Sequence, residues 1–136
     1  MNDPKPIRIL VVGAGHMGIS HARAYAKLPG FEICGVVTRT FQSSQSMVDE
    51  LGPLRQFTDF KQALAETNPN AVSVSSYTET HHPFTMAALG AGCHVFVEKP
   101  LAENVEKAQQ IADKAKQANR KVVVGYILRH HPSWIK

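Results

Sequence analysis

Gly13-Ala14-Gly15-His16-Met17-Gly18 has the spacing G-x-G-x-x-G. Residues so spaced can hold a pyrophosphate, provided a strand precedes them and a helix follows. Both conditions are met, because the apolar run Ile7 to Val12 leads into the glycines and a helical pattern leaves them. Gly13 then permits the tight turn, Gly15 lets phosphate approach bare backbone, and Gly18 lets helix and strand pack closely. His16 and Met17 form the first helical turn, whose N–H groups and partial positive charge suit an anion. Without that context the same residues are a plain glycine turn.

The next informative segment is Thr38-Arg39-Thr40, after the second apolar run. Dinucleotide sites that take NAD usually place Asp or Glu about 20 residues past the glycines, on the ribose 2′-hydroxyl. No carboxylate stands here to repel a 2′-phosphate. Arg39 can pair with such a phosphate as a fork or stack on adenine, and the hydroxyls of Thr38 and Thr40 can donate. The segment therefore favours NADP as cofactor, with NAD possible; the alternative is that Arg39 is a solvated loop residue.

Glu98-Lys99-Pro100 follows the fifth apolar run. Lysine supplies a compact cation that can donate to a substrate oxygen, and an adjacent glutamate can hold it and raise its charged fraction. Spacing alone describes a surface salt-bridged loop equally well. Thr80-His81-His82 lies near the same edge, but adjacent histidines point differently on a helix. With Cys93 and His94 they form no i,i+4 pair or CxxC spacing, so no metal is expected. Cys34 reads as a small buried hydrophobe and His21 as structural or solvated. His130-His131 fits either reading.

The elements that must carry these residues alternate between short apolar runs and amphipathic stretches. Strands are expected at Ile7 to Val12, Phe31 to Val37, Leu54 to Phe57, Ala71 to Ser75, His94 to Val97 and Lys121 to Val124. Helices are expected at His16 to Leu28, Phe41 to Leu51, Asp59 to Glu66, Pro83 to Leu89 and about Asn104 to Ala118. On the first helix Gly18, Ala22, Tyr25 and Ala26 form the close-packing face. On the last, Val105, Ala108, Ile111, Ala112, Ala115 and Ala118 make one stripe, with Lys107 and Lys114 toward water. Strands alternating with helices imply an α/β fold, a doubly wound parallel sheet of order 3-2-1-4-5-6.

The chain has 136 residues, about one domain's worth. It is 43% hydrophobic, with two cysteines and a net charge of +4. It can build a core, and it is neither a disulfide scaffold nor a membrane span. Its basic residues are scattered, unlike the clustered face of a nucleic-acid binder. The polar N-terminus lacks a signal-type apolar segment, so a cytoplasmic chain with reduced thiols is expected.

Together the glycine loop, the acid-free second strand, the run Ala91-Gly92-Cys93-His94-Val95-Phe96-Val97-Glu98-Lys99-Pro100-Leu101-Ala102 and Gly125-Tyr126 with Arg129 resemble the glucose–fructose oxidoreductase/inositol dehydrogenase (Gfo/Idh/MocA) family. The resemblance covers nearly the whole chain, and the Glu-Lys-Pro segment is its most specific part. It implies an NAD(P)-dependent oxidoreductase, acting on CH–OH groups of a sugar, polyol or related small molecule. It gives Lys99 the catalytic role, at the nicotinamide. It places His81 and the loop Ser76-Tyr77-Thr78 on the nicotinamide side, and leaves a cis Lys99–Pro100 bond open. Two positions depart from the pattern: Ser76-Tyr77-Thr78 replaces the usual Thr-Pro-Asn, and Ile127 stands at a place that often holds Asn.

Proteins of this kind are longer, with a second α+β domain holding substrate. Residues 1–125 are accordingly expected as the Rossmann domain, and 126–136 as the start of a connection to a domain this chain lacks. Tyr126, Ile127, Leu128, Trp134 and Ile135 would then expose an apolar surface, which favours a homo-oligomer. A non-catalytic NADP(H) sensor is the alternative function. An S-adenosylmethionine-dependent methyltransferase is disfavoured, since it would want an acid where Thr38-Arg39 stands.

Overall fold

The computed structural model describes residues 3–126; Ile127, Leu128, Arg129, His130, His131, Trp134 and Ile135 lie outside them. Six parallel strands form one sheet: β1 (Ile7–Val12), β2 (Phe31–Val37), β3 (Gln56–Phe57), β4 (Ala71–Val74), β5 (His94–Glu98) and β6 (Val122–Gly125). Their order is β3-β2-β1-β4-β5-β6, the doubly wound arrangement expected from the alternation of elements. Five helices connect them: α1 (His16–Lys27), α2 (Phe41–Leu51), α3 (Phe60–Thr67), α4 (Thr78–Gly90) and α5 (Val105–Ala118).

Side chains on a strand alternate between faces, and two cores result. Leu10, Val12, Val72, Val74, Val95 and Val97 pack toward α3, α4 and α5 with Phe60, Leu89 and Ile111. Val11 and Val36 face α1 and α2 with Ala22 and Met47. The β1–β2 pairing shifts register between Ile9 and Leu10, so that Ile9 meets Ile33 but Leu10 meets Gly35. Cys34 is the extra residue, a bulge that its apolar sequence does not announce. Its thiol is buried, as is that of Cys93, and both are free.

Several boundaries follow side chains rather than local preference. Helix α4 begins at Thr78, five residues before Pro83, which sits inside it. A proline there forfeits one backbone bond. The first turn is held instead by Thr80 N–H and Oγ1 donating to the Tyr77 carbonyl at 2.9 and 2.6 Å. β3 is cut to Gln56–Phe57, although the Arg55 carbonyl still accepts from Val36 N–H.

Helix faces also differ from the sequence pattern. Gly18 and Ala22 are buried and Tyr25 half-buried, but Ala26 is exposed; at about 100° per residue it lies some 80° away from Gly18. On α5, Val105 is 84% exposed and Ala112 is exposed, while Lys107 and Lys114 are half-buried. The Lys114 stem lies against α4, its Cε 3.8 Å from where a Cβ on Gly90 would stand, and Lys107 Nζ pairs with Glu103 at 2.8 Å. Asn104 caps this helix by accepting from Lys107 N–H at 2.9 Å.

Candidate functional site

The order in which the parallel strands are laid down reverses around β1: the path runs outward through β2 and β3, then returns to β4 on the other side of β1. Doubly wound sheets bind ligands at such a switch point, beyond the carboxyl ends of the strands. A cleft of about 720 Å³ opens there, lined by Gly13, Gly15, Thr38, Arg39, Ser76 and Tyr77 among others. Six residues expected from the sequence are thus brought to one wall-to-wall site.

The three glycines act differently. Gly13 has φ +95°, and a Cβ on it would lie 2.7 Å from the Ser75 carbonyl oxygen. The turn thus presses onto the end of β4 and uses a conformation that other residues adopt only under strain. A Cβ on Gly18 would fall 2.2 Å from the Gly13 oxygen, so Gly18 permits the first turn of α1 to pack on the loop. Gly15 is under neither constraint. Its φ is −74°, and nothing lies within 4 Å of where its Cβ would be.

No side chain caps α1 at Gly15, so the helix-start N–H groups keep their capacity for an acceptor. Ser75, whose backbone the Gly13 turn presses on, is also on the cleft wall. A bare backbone and an uncapped helix start fit the pyrophosphate of a dinucleotide.

The β2 end carries the cation. Arg39 is exposed, and its guanidinium lies 4.6 Å from the centroid of the Tyr77 ring. This cation–π contact brings the loops after β2 and β4 together at the cleft. The Thr38 hydroxyl donates to the Thr40 carbonyl at 2.6 Å. The Thr40 hydroxyl accepts from Ser43 N–H at 3.2 Å, as the cap of α2. Thr40 therefore shapes the helix start, while Ser43, which the sequence reading missed, reaches the cleft itself. Its place three residues past a Thr cap was the available signal. Thr58, Asp59 and Phe60 also line the cleft and were missed, since only the crossover to α3 brings them there.

Other expected residues stand elsewhere. His16, Met17 and Thr78 belong to the first turns of α1 and α4. His81 is 2% exposed. Its Nδ1 lies 2.7 Å from the Pro100 carbonyl and its Nε2 2.9 Å from the Ser76 carbonyl. It joins the loops after β4 and β5 from beneath, rather than presenting its ring to the cleft. Lys99 is exposed at the end of β5, and the Lys99–Pro100 bond is cis.

The expected Glu98–Lys99 ion pair is replaced by another. Glu98 Oε1 lies 2.6 Å from His21 Nε2 on α1, and Glu98 Oε2 accepts from the Lys99 backbone N–H at 3.3 Å. Consecutive residues at a strand end leave on opposite faces, so the carboxylate turns inward while the lysine turns out. One turn along α1, the Tyr25 hydroxyl donates to Ser73 Oγ at 3.2 Å. Burial pushes the Tyr25 phenol up, the bond to Ser73 opposes this, and the Glu98 charge adds to the rise. Among the described residues no three His, Cys, Asp or Glu side chains are grouped to hold a metal ion, and no helix is long and apolar enough to cross a membrane.

Comparison with known proteins gives a consistent pattern. The model of the Gfo/Idh/MocA oxidoreductase family, NAD-binding Rossmann fold, matches residues 7–126. The chain is 33% identical over 132 residues to inositol 2-dehydrogenase of Agrobacterium fabrum, covering 95% of this chain and 39% of that protein. It is 31% identical over 126 residues to D-glucoside 3-dehydrogenase of Escherichia coli, covering 92% and 35%. Among solved structures, scyllo-inositol dehydrogenase of Lactobacillus casei with bound NAD(H) and scyllo-inositol superposes with a TM-score of 0.88 at 29% identity, over 95% of this chain and 38% of that one. The chain thus spans well under half the length of these relatives.

Proposed function

The chain belongs to the Gfo/Idh/MocA oxidoreductase family, and from that premise we propose that it is the cofactor-binding part of an NADP-preferring dehydrogenase. The substrate is a sugar, polyol or related hydroxy compound. Residues 1–125 hold the nucleotide, and 126–136 begin the connection to the part that holds substrate. The observation that carries the reading is the floor of the cleft, where Gly15 leaves open space over an uncapped helix start.

Gly13, Gly15 and the first turn of α1, with His16, Met17 and Gly18, receive the pyrophosphate through backbone N–H groups. Arg39 and Ser43, with Thr38 and Thr40 shaping their backbone, receive the 2′-phosphate. What supports NADP over NAD is that α2 has no acidic residue in its first turn and that no carboxylate occupies 38–40. Ser76, Tyr77 and Thr78 flank the site toward Lys99. The cofactor supplies hydride acceptance and donation, chemistry that protein side chains lack. Lys99 holds the reacting substrate oxygen and moves its proton. Its exposure leaves the ammonium free to do so, and His81 sets its loop against the Ser76 loop through the Pro100 and Ser76 carbonyls. Glu98 does so through the Lys99 backbone.

Fluorescence titration of the chain with NADPH, NADH and S-adenosylmethionine tests the reading. Saturable binding of NADPH, tighter than NADH and without a response to S-adenosylmethionine, is expected. Failure of both nicotinamide nucleotides to bind refutes it.

A further inference from the structure

A buried carboxylate needs donors, because taking it from water unpaired is costly. Glu98 is only 7% exposed, and an ionised carboxylate can only accept. Its donors come from two directions: His21 Nε2 at 2.6 Å on Oε1 and Lys99 N–H at 3.3 Å on Oε2. The imidazole therefore presents its proton on Nε2. Two further contacts hold this arrangement. The His21 ring meets the Phe96 ring edge-on, with centroids 4.8 Å apart and planes at 62°. On β6, Gly125 makes the room, since a Cβ there would stand 2.8 Å from Glu98 Oε1. Side chains from α1 and β5 thus converge, against a bare backbone on β6, on one carboxylate that grips the backbone of Lys99.

Gly18 and Ala22, both buried, also seat α1 on the sheet. What the contact adds is a link between the helix that opens from the glycine loop and the segment that carries Lys99. We propose that His21 is a positioning residue for Lys99, acting through Glu98. The inference rests on the reading of Lys99 as the residue that meets substrate. It adds that a histidine 78 positions earlier, on the nucleotide-binding helix, sets where that lysine stands.

The test uses the 15N-labelled chain with His21→Leu, His21→Gln and Glu98→Gln. Hydrogen exchange at the Lys99 amide should quicken about tenfold in His21→Leu, the equivalent of roughly one net hydrogen bond. Glu98→Gln should do the same. His21→Gln, whose amide nitrogen reaches to about the place of Nε2, should restore slow exchange. Unchanged Lys99 exchange in His21→Leu overturns the proposal. So does a rise shared equally by amides throughout α1 and β5 that His21→Gln fails to reverse, since that marks general loosening. Should His21→Leu not fold, the unmodified chain still decides: its His21 ring 15N shifts must report a proton on Nε2, and a proton confined to Nδ1 overturns the contact. The NADPH titration of the unmodified chain reports separately on the functional reading, so the two can fail independently.

Discussion

Adding a single methyl group at Gly15 should abolish nucleotide binding and leave the fold intact. A Cβ there meets no protein atom within 4 Å, and φ −74° with ψ −167° is extended backbone open to any residue. Replacing Gly where its conformation suits Ala stabilises by about 0.4–1 kcal/mol through the unfolded chain. Ala is a poorer helix cap than Gly by about 1 kcal/mol. The two nearly cancel, so Gly15→Ala should shift the melting temperature by no more than about 4 °C. Binding is another matter, because the open space is where the phosphate must approach. Losing two charge-assisted bonds to it costs about 3–6 kcal/mol, a hundredfold or greater loss of affinity. Gly18→Ala should instead lower stability, since its Cβ would clash with the Gly13 backbone oxygen; overpacking there costs about 1–3 kcal/mol or more. Melting curves and NADPH titrations on both variants, with Gly15→Val as the bulkier control, make the comparison. Undiminished binding in Gly15→Ala and Gly15→Val would refute the placement of the pyrophosphate.

Three other outcomes are expected. Arg39→Asp should weaken NADP(H) binding by about 1.5–3 kcal/mol, ten- to a hundredfold, while sparing NAD(H); equal affinities for both nucleotides in the unmodified chain would remove the basis for the preference. Burial pushes the thiols of both Cys34 and Cys93 above the ordinary cysteine range, so neither should react with a thiol reagent in the folded chain and both should react in denaturant. Because the folded values are the higher, the stabilisation is complete below the unfolded pKa and is lost as pH rises through the folded one; a denaturation midpoint that holds steady into strong alkali would contradict this. Asn104→Ala should lower stability by about 1 kcal/mol through loss of the α5 cap without changing NADPH affinity, and an affinity change would mean that α5 reaches the site.

The strand order was legible because continuous apolar runs between amphipathic helices admit few arrangements, and right-handed crossovers prune those further. Boundaries were less legible where side chains, not propensity, hold the backbone. Pro83 argues for a helix start, yet bonds from Thr80 and Ser76 extend the helix back to Thr78. The buried face of α5 differs from its apolar stripe because apolar type alone does not set it: Val105 and Ala112 are exposed while Lys107 and Lys114 are half-buried.

The site divides along the same line. A glycine motif specifies backbone geometry, so the place of Gly13 and Gly15 on the cleft follows from spacing, and Arg39 stands there because it follows the end of the strand beside them. Glu98 was assigned to Lys99 because the two are neighbours in sequence, but neighbours at a strand end face opposite ways. The true partner was derivable from periodicity. Phe96 and Glu98 alternate with the core residues Val95 and Val97, so they face the side of the sheet covered by α1. On α1, Gly18, His21, Ala22 and Tyr25 follow the i, i+3, i+4, i+7 spacing of one helical face. A polar residue on that face needs a partner across the interface, and Glu98 is the carboxylate there. Combining the two periods, one per element, turns His21 from a residue that fits any surface into one whose position is set by its partner.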